Sequence, residues 1–171
     1  ADFEKYLEAF LPFLVEGLRN HEEHQLCTIS VGIVGDVCRS LAERATKYSE
    51  TLVLALFEDL QSPVLHRNVK PHILSCFGDI AMAIGPAFES YLPTAMAVLQ
   101  QASMVQNAPD TADYEMVEYV NDLREGIAEA YVGIVSGFRM AGKADVLLPY
   151  MDYTLAFVGL VASDSIDRSE T

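Results

Sequence analysis

The string VGIVGDVCRSL at 31–41 returns 43 positions later as LSCFGDIAMAI at 74–84, with Gly35 over Gly78 and Asp36 over Asp79. A third copy, EAYVGIVSGF at 129–138, places Gly133 in register with Gly78 after a further 55 positions. The segments ahead of these strings repeat as well. Tyr6, Tyr48 and Tyr91 lead stretches in which Leu14, Leu56 and Leu99 correspond, and LLPYMDYTLAF at 147–157 is similar to YLPTAMAVL at 91–99, as the opening of a fourth unit. A repeat of this length is a unit that cannot bury its apolar face alone and gains a core only by stacking on its neighbours. The 171 residues divide on this reading into units at about 1–44, 45–86, 87–142 and an incomplete 143–171 within a single segment of a longer array.

Each unit reads as two helices. The apolar spacing predicts helices over 3–19, 24–42, 49–60, 69–84, 87–103, 111–139 and 146–162, and no segment shows a period-two strand pattern. Turn residues cluster at RNHEEHQ, LQSPVLHRN and AIGPAF. Paired helices at this period predict an all-α HEAT-repeat solenoid, with antiparallel pairs stacked in a superhelix and the second helices forming an inner row. Pro71 suits a first turn, whereas Pro12 is expected to kink its helix. The third unit carries additional residues between its helices, VQNAPDTAD among them, where Asp110 or Thr111 is placed to cap the second helix of that unit.

Composition narrows the function classes. Hydrophobic residues make up 51% of the chain, which excludes disorder as the default state. Eleven basic against 25 acidic residues give a net charge of −14, which weighs against nucleic acid and favours a basic protein segment as partner. Cys27, Cys38 and Cys76 are odd in number and lack close pairing, as expected of reduced thiols in a cytosolic or nuclear protein. The charge-free run 90–109 is too polar to cross a bilayer, so no membrane insertion is expected. HEEH and HQLC, at 21–27, offer no further ligand at metal spacing, and no nucleophile–base or phosphate-loop motif occurs. Neither an enzyme, nor a metal, nor a cofactor is expected. The chain opens in helical register without an initiator Met and reads as a piece of a longer protein.

The stretch DYEMVEYVNDLREGIAE at 113–129 stacks Glu115, Glu118, Asp122, Glu125 and Glu129 along one helical stripe. Like charges at such spacings cost about 0.2–0.5 kcal/mol per pair. Arg124 has Val120, Asn121, Ile127 and Ala128 three and four positions away, so it relieves none of the five through helical spacing. The opposite face, Val117, Val120, Leu123, Ile127, Tyr131 and Ile134, directs the acids to solvent or to an inner groove. Two readings stand side by side: a solvated face that keeps the protein soluble, or a docking ladder for a Lys/Arg-rich segment. Asp36 and Asp79, equivalent across repeats, either extend this acidic surface or bond locally, and the structural role is preferred.

The first helix adds an aromatic stripe, Phe3, Tyr6, Phe10 and Phe13, beside a leucine stripe of Leu7, Leu11, Leu14 and Leu18. One stripe suffices to join a core. The second is expected to be a junction with a preceding repeat, or else a groove for a partner's aromatic side chains. Met151, Leu155, Phe157, Val158 and Val161 form the matching open end, so the chain is expected to self-associate through its ends.

LHRNVKPHILSCFGDIAMAIG at 65–85, LQQAS at 99–103 and YVNDLRE at 119–125, together with YLEAFLPFL and VGIVGDVCRSL, resemble the importin-β family of nuclear transport receptors, the karyopherins, along nearly the whole chain. The resemblance implies a stretch from the C-terminal half of a HEAT superhelix that shuttles between cytoplasm and nucleus through the nuclear pore. In that family the inner surface takes the basic N-terminal segment of importin α, outer helices take Phe-Gly repeats of nucleoporins, and Ran-GTP releases cargo mainly through other parts of the receptor. A HEAT scaffold of another assembly, with a protein-interaction role only, is the alternative.

Overall fold

A computed structural model describes residues 3–106 and 114–169, with backbone alone at 164–169. The helices are α1 (Glu4–Leu18), α2 (His24–Leu41), α3 (Thr46–Gln61), α4 (Val69–Ile84), α5 (Leu92–Ser103), α6 (Tyr114–Met140) and α7 (Met151–Ser169). Short 3-10 turns precede three of them, at Ala42–Ala45, Gly85–Ser90 and Ala144–Tyr150. No strand occurs among the described residues. The all-α solenoid reading therefore holds, and α4 has the bounds that spacing predicts.

Two expected helices start later than the sequence suggests. The segment at 87–103 begins as a 3-10 turn after Gly85 and becomes α5 only at Leu92, with Pro93 in the first turn. The segment at 146–162 opens as a 3-10 turn containing Pro149 before α7 begins. In both, a proline without an N–H sits where a longer α-helix would need the donor. Pro12 behaves differently: α1 continues through it to Leu18, on the exposed side, where water can take the carbonyl that proline leaves without a donor. Asp110 and Thr111, the expected caps, lie outside the described residues.

The helices form two rows. α1 and α3 touch along one row, and α2, α4 and α6 pack side by side along the other, with α4 central. Leu7, Leu14 and Leu18 of α1 are buried against this second row, as the leucine stripe requires. One continuous core runs through Val34, Leu56, Phe77, Phe88, Ile127 and Phe138, all essentially without solvent contact. The buried face of α6 is the predicted one: Val120, Leu123, Ile127, Tyr131 and Ile134 are covered, and Val117 partly so.

The register between α4 and α6 is fixed by glycine. A Cβ on Gly133 would lie 2.5 Å from the Gly78 Cα, one on Gly78 would lie 2.7 Å from the Glu129 carbonyl, and one on Gly137 would lie 2.9 Å from the Ala81 carbonyl carbon. Gly126 meets the Pro71 backbone in the same way. Gly126 over Pro71 and Gly133 over Gly78 keep one offset, 55 positions, which is the spacing of the sequence repeat, and Gly137 follows against Ala81 and Met82. In that register α6 starts ten residues before the position facing Val69, so 114–123 overhangs the start of α4 by about 15 Å.

Candidate docking groove

Glu115, Glu118, Asp122, Glu125 and Glu129 are all exposed on the open face of the second-helix row. The overhang places Glu115, Glu118 and Asp122 beside the α3–α4 connection, while Glu125 and Glu129 face α4. A cleft of about 470 Å³ between α2, α4 and α6 is lined by Asp122, Glu125 and Glu129 with His72, Ser75 and Asp79. A second, of about 430 Å³, is lined by Glu115, Glu118 and Asp122 with Arg67 and Tyr119. The stripe borders grooves rather than open water alone.

Its charge is not wholly uncompensated, as helical spacing alone had suggested. Arg67, from the α3–α4 connection, donates to Glu115 at 2.9 Å and lies over the Tyr119 ring at 5.7 Å. Ser75 on α4 donates to Glu129 at 2.5 Å. Both partners come from the neighbouring helix pair, which intrahelical spacing cannot reveal. Glu118, Asp122 and Glu125 have no ion pair or hydrogen bond among the described residues. The Arg67–Glu115 pair is a surface contact, with the Glu115 side chain 82% exposed, and such pairs contribute about 0–1 kcal/mol.

Asp36 and Asp79 are joined by one cation. Arg39 donates to Asp36 at 2.6 Å on its own helix and also pairs with Asp79 on α4. The hydrogen bonds to Asp79 and then Asp36 hold the guanidinium protonated above its ordinary range. Asp79 reaches the groove wall already paired.

The aromatic stripe lies away from this groove. Phe3, Tyr6 and Phe13 are 45%, 61% and 69% exposed, and Phe10 is partly buried. Arg44 pairs with Glu4 at 2.5 Å and Lys47 pairs with Glu8, which fixes the flank of α1 that meets α3. At about 100° per residue the aromatic stripe sits roughly 160° round the helix from those glutamates. It thus occupies the flank where a preceding helix pair would stack. Leu26 and Ile29 of α2 are also exposed, and at the other end so are Leu155 and Val158 of α7, while Phe157 is buried against Tyr131. By length and composition the stretch Ala144–Ser163 is apolar enough to cross a membrane, and 11% of it is buried; the similarly apolar Val69–Ser90 is half buried as the core helix α4.

Sequence inspection did not find an apolar cleft of about 250 Å³ between α3 and α5, lined by Phe57, Leu60, Leu74, Val98, Val105 and Tyr119 among others. These residues come from four helices and the turn after α5, and the one signal for it was the repeat itself, which sets α5 beside α3. The cysteines are buried free thiols; burial pushes Cys27 up to about 11 and Cys38 to about 12, and raises Cys76 well above its ordinary value. Such thiols are poor nucleophiles at neutral pH. No group of three metal-ligating side chains occurs among the described residues.

Comparison with known proteins agrees with this geometry. A family model described as importin subunit beta-1-like, TPR repeats, matches residues 1–171. Importin subunit beta-1 of Schizosaccharomyces pombe is 48% identical over 162 residues, covering 95% of this chain and 19% of the relative; that of Arabidopsis thaliana is 46% identical, covering 92% and 18%. Among solved structures, an importin beta superposes with a TM-score of 0.89 at 45% identity, covering 95% of this chain and 19% of the other. Kap95p, in a structure concerning its effect on the switch loops of RanGDP, gives 0.88 at 34% identity, covering 95% and 18%. A Kap95:Nup1 complex gives 0.87 at 35%, covering 94% and 18%. The chain spans about a fifth of the length of the relatives it matches. With its family model matched from first residue to last, the chain belongs to the importin subunit beta-1 family.

Proposed function

We propose that this chain is a segment of a nuclear import receptor that acts by binding, and that its open face takes a basic segment such as the N-terminal region of importin α. The observation that carries the reading is the set Glu118, Asp122 and Glu125, three acids over two turns of α6 with no countercharge among the described residues, bordering two clefts. A Lys/Arg-rich partner supplies the missing charge and relieves the repulsion stored in the free helix. Family membership favours this reading over a scaffold of another assembly. It also makes Ran and nucleoporins the expected partners of the whole receptor, and cytoplasm, nucleus and pore its expected locations.

The test is a fluorescence-anisotropy titration with the basic segment of importin α, comparing the native chain with a Glu118→Gln, Asp122→Asn, Glu125→Gln variant at two salt concentrations. The native chain is expected to bind in a salt-sensitive way, and the variant at least ~10-fold more weakly, about 1.4 kcal/mol. Equal binding would return the stripe to a solvated face.

The α3–α5 cleft supports a second contact, with the Phe of a Phe-Gly repeat, because its lining is mainly apolar and holds no acid; Tyr119 is the one residue it shares with the acidic cleft. Val98→Asp is expected to abolish Phe-Gly peptide binding and leave the basic segment's affinity unchanged; loss of neither or of both would remove this assignment. The exposed end faces are expected to pair copies of the chain, seen as a sedimentation coefficient that rises with concentration, and a concentration-independent monomer would remove that expectation.

A further inference from the structure

At steps of seven, one line along α6 carries Glu118, Glu125, Val132 and Arg139: two acids, an apolar residue and a base, all exposed. Seven residues make nearly two helical turns, so each step advances about 10.5 Å and turns by only about 20°. Charge therefore changes along the groove rather than across it. The acidic part ends at Glu129, and an apolar part follows from Val132.

A cleft of about 370 Å³ lies at this change, between α4 and α6, with Met82, Ala128 and Val132 in its lining. Met82 is 44% exposed and Val132 67%. Single exposed apolar residues are ordinary on any surface. These two come from neighbouring helices and share one cleft, part of whose wall is bare backbone because Gly78 and Gly133 bring no side chain to it. The two acids in its lining are already engaged: Asp79 pairs with Arg39, and Glu129 accepts from Ser75. All four of these polar residues also line the 470 Å³ acidic cleft, so the two clefts are continuous. Val135 is exposed as well, but it stands about 60° round the helix from Val132, on the flank away from α4 where a further helix pair would stack.

A basic segment laid along α6 and held by Glu118 and Glu125 runs into this cleft. Stable interfaces combine a charged rim with an apolar anchor seated in a pocket. We propose that the open groove holds an apolar subsite: the cleft between Met82 and Val132 seats one aliphatic side chain of the same basic partner, about 10 Å beyond the cations that meet Glu118 and Glu125. The subsite rests on the reading that the open face takes a basic segment. It adds a requirement that charge alone does not set, since a partner must carry an aliphatic residue two turns past its last cation. Arg139, two turns beyond Val132, repels a further cation, so the partner's positive charge ends where its apolar residue sits.

Fluorescence anisotropy with two synthetic peptides tests it. One is a Lys/Ala helix with its lysines over two turns, and the other is the same peptide with Leu for Ala two turns beyond the last lysine. The native chain is expected to bind the Leu peptide roughly 5-fold more tightly, the gain from burying about 40 Å² of apolar surface. Raising NaCl from about 0.1 M to about 0.3 M should weaken both peptides and leave that ratio unchanged, because screening acts on the charges alone. A Met82→Gln, Val132→Gln variant, altered at two exposed positions, should lose the gain and still bind the Lys/Ala peptide as the native chain does. Val135→Gln should keep the gain, which separates the cleft from the open end of the stack. Equal binding of the two peptides by the native chain, or a gain that survives in the Met82→Gln, Val132→Gln variant, would overturn the subsite and leave the basic docking face standing. Binding of neither peptide would remove the docking face and the subsite together.

Discussion

Gly35–Asp36 on α2 and Gly78–Asp79 on α4 are the same dipeptide at the same place in successive repeats, yet they meet different neighbours. Gly78 lies against the backbone of α6 at Glu129 and Ala130, whereas Gly35 faces the end of the Asp79 side chain with Arg39 behind it. A repeat sequence therefore fixes where a helix lies but not what kind of joint it makes. The facing helix decides that: α6 brings Gly126, Gly133 and Gly137 to the seam, and α4 brings an ion-paired aspartate.

The sharpest way to break this comparison is to add one methyl group to each seam. Gly133→Ala puts a Cβ 2.5 Å from the Gly78 Cα, where only backbone can yield. Overpacking of this kind costs about 1–3 kcal/mol, and the rigidity of two abutting helices puts this site at the upper end. The expected result is a clear fall in the urea midpoint at unchanged slope. A variant as stable as the native chain would show that α4 and α6 can separate freely.

Gly35→Ala should cost less. Its Cβ would lie 2.6 Å from Asp79 Oδ2 and 3.4 Å from Arg39 Nη1, both far ends of side chains that can swing. Replacing helical glycine by alanine returns about 0.5–1 kcal/mol, which offsets much of the clash, so a net change within ~1 kcal/mol is expected from chemical denaturation. Gly32→Ala, one turn away with nothing within 4 Å of the added carbon, calibrates that offset by raising the midpoint. If Gly35→Ala proved as costly as Gly133→Ala, the two joints would be alike.

These particulars also show what was readable beforehand. The offset of 55 positions between Gly78 and Gly133 was visible as a sequence repeat and proved to be the spatial register of α4 on α6. The acidic stripe was visible because helical spacing is local, and its buried counterface came from the same periodicity. Arg67 on Glu115, Ser75 on Glu129 and Arg39 on Asp79 were not visible, since each joins residues at least 40 positions apart through side chains whose reach depends on the curvature of the stack. The α3–α5 cleft escaped for the same reason: its lining is assembled from four helices and the turn after α5.

The smallest expected effect concerns pH at the contact between the α1–α2 turn and the end of α3. Asp59, 1% exposed at the end of α3, receives His21 on one oxygen, while its Oδ2 has no hydrogen-bond partner. Burial raises its pKa above the usual 3.8; the hydrogen bond and charge of His21 and the charge of Arg19 oppose the rise, and Glu58 adds to it. Because the folded value is the higher one, the folded chain holds a proton on Asp59 at a pH where the unfolded chain has released it. The resulting stabilisation is fully present below the unfolded value and is lost as pH rises through the folded one. Asp59→Asn removes the titration but keeps an oxygen for His21. Subtracting its urea midpoint from that of the native chain should therefore leave a difference that falls as pH rises from the ordinary carboxylate value through the higher folded one. The relief of self-repulsion as the net charge of −14 is neutralised is common to both proteins and cancels. A flat difference would mean that Asp59 stays ionised through its contact with His21. The hydrogen bond from His21 would then offset the whole effect of burial on the Asp59 carboxyl.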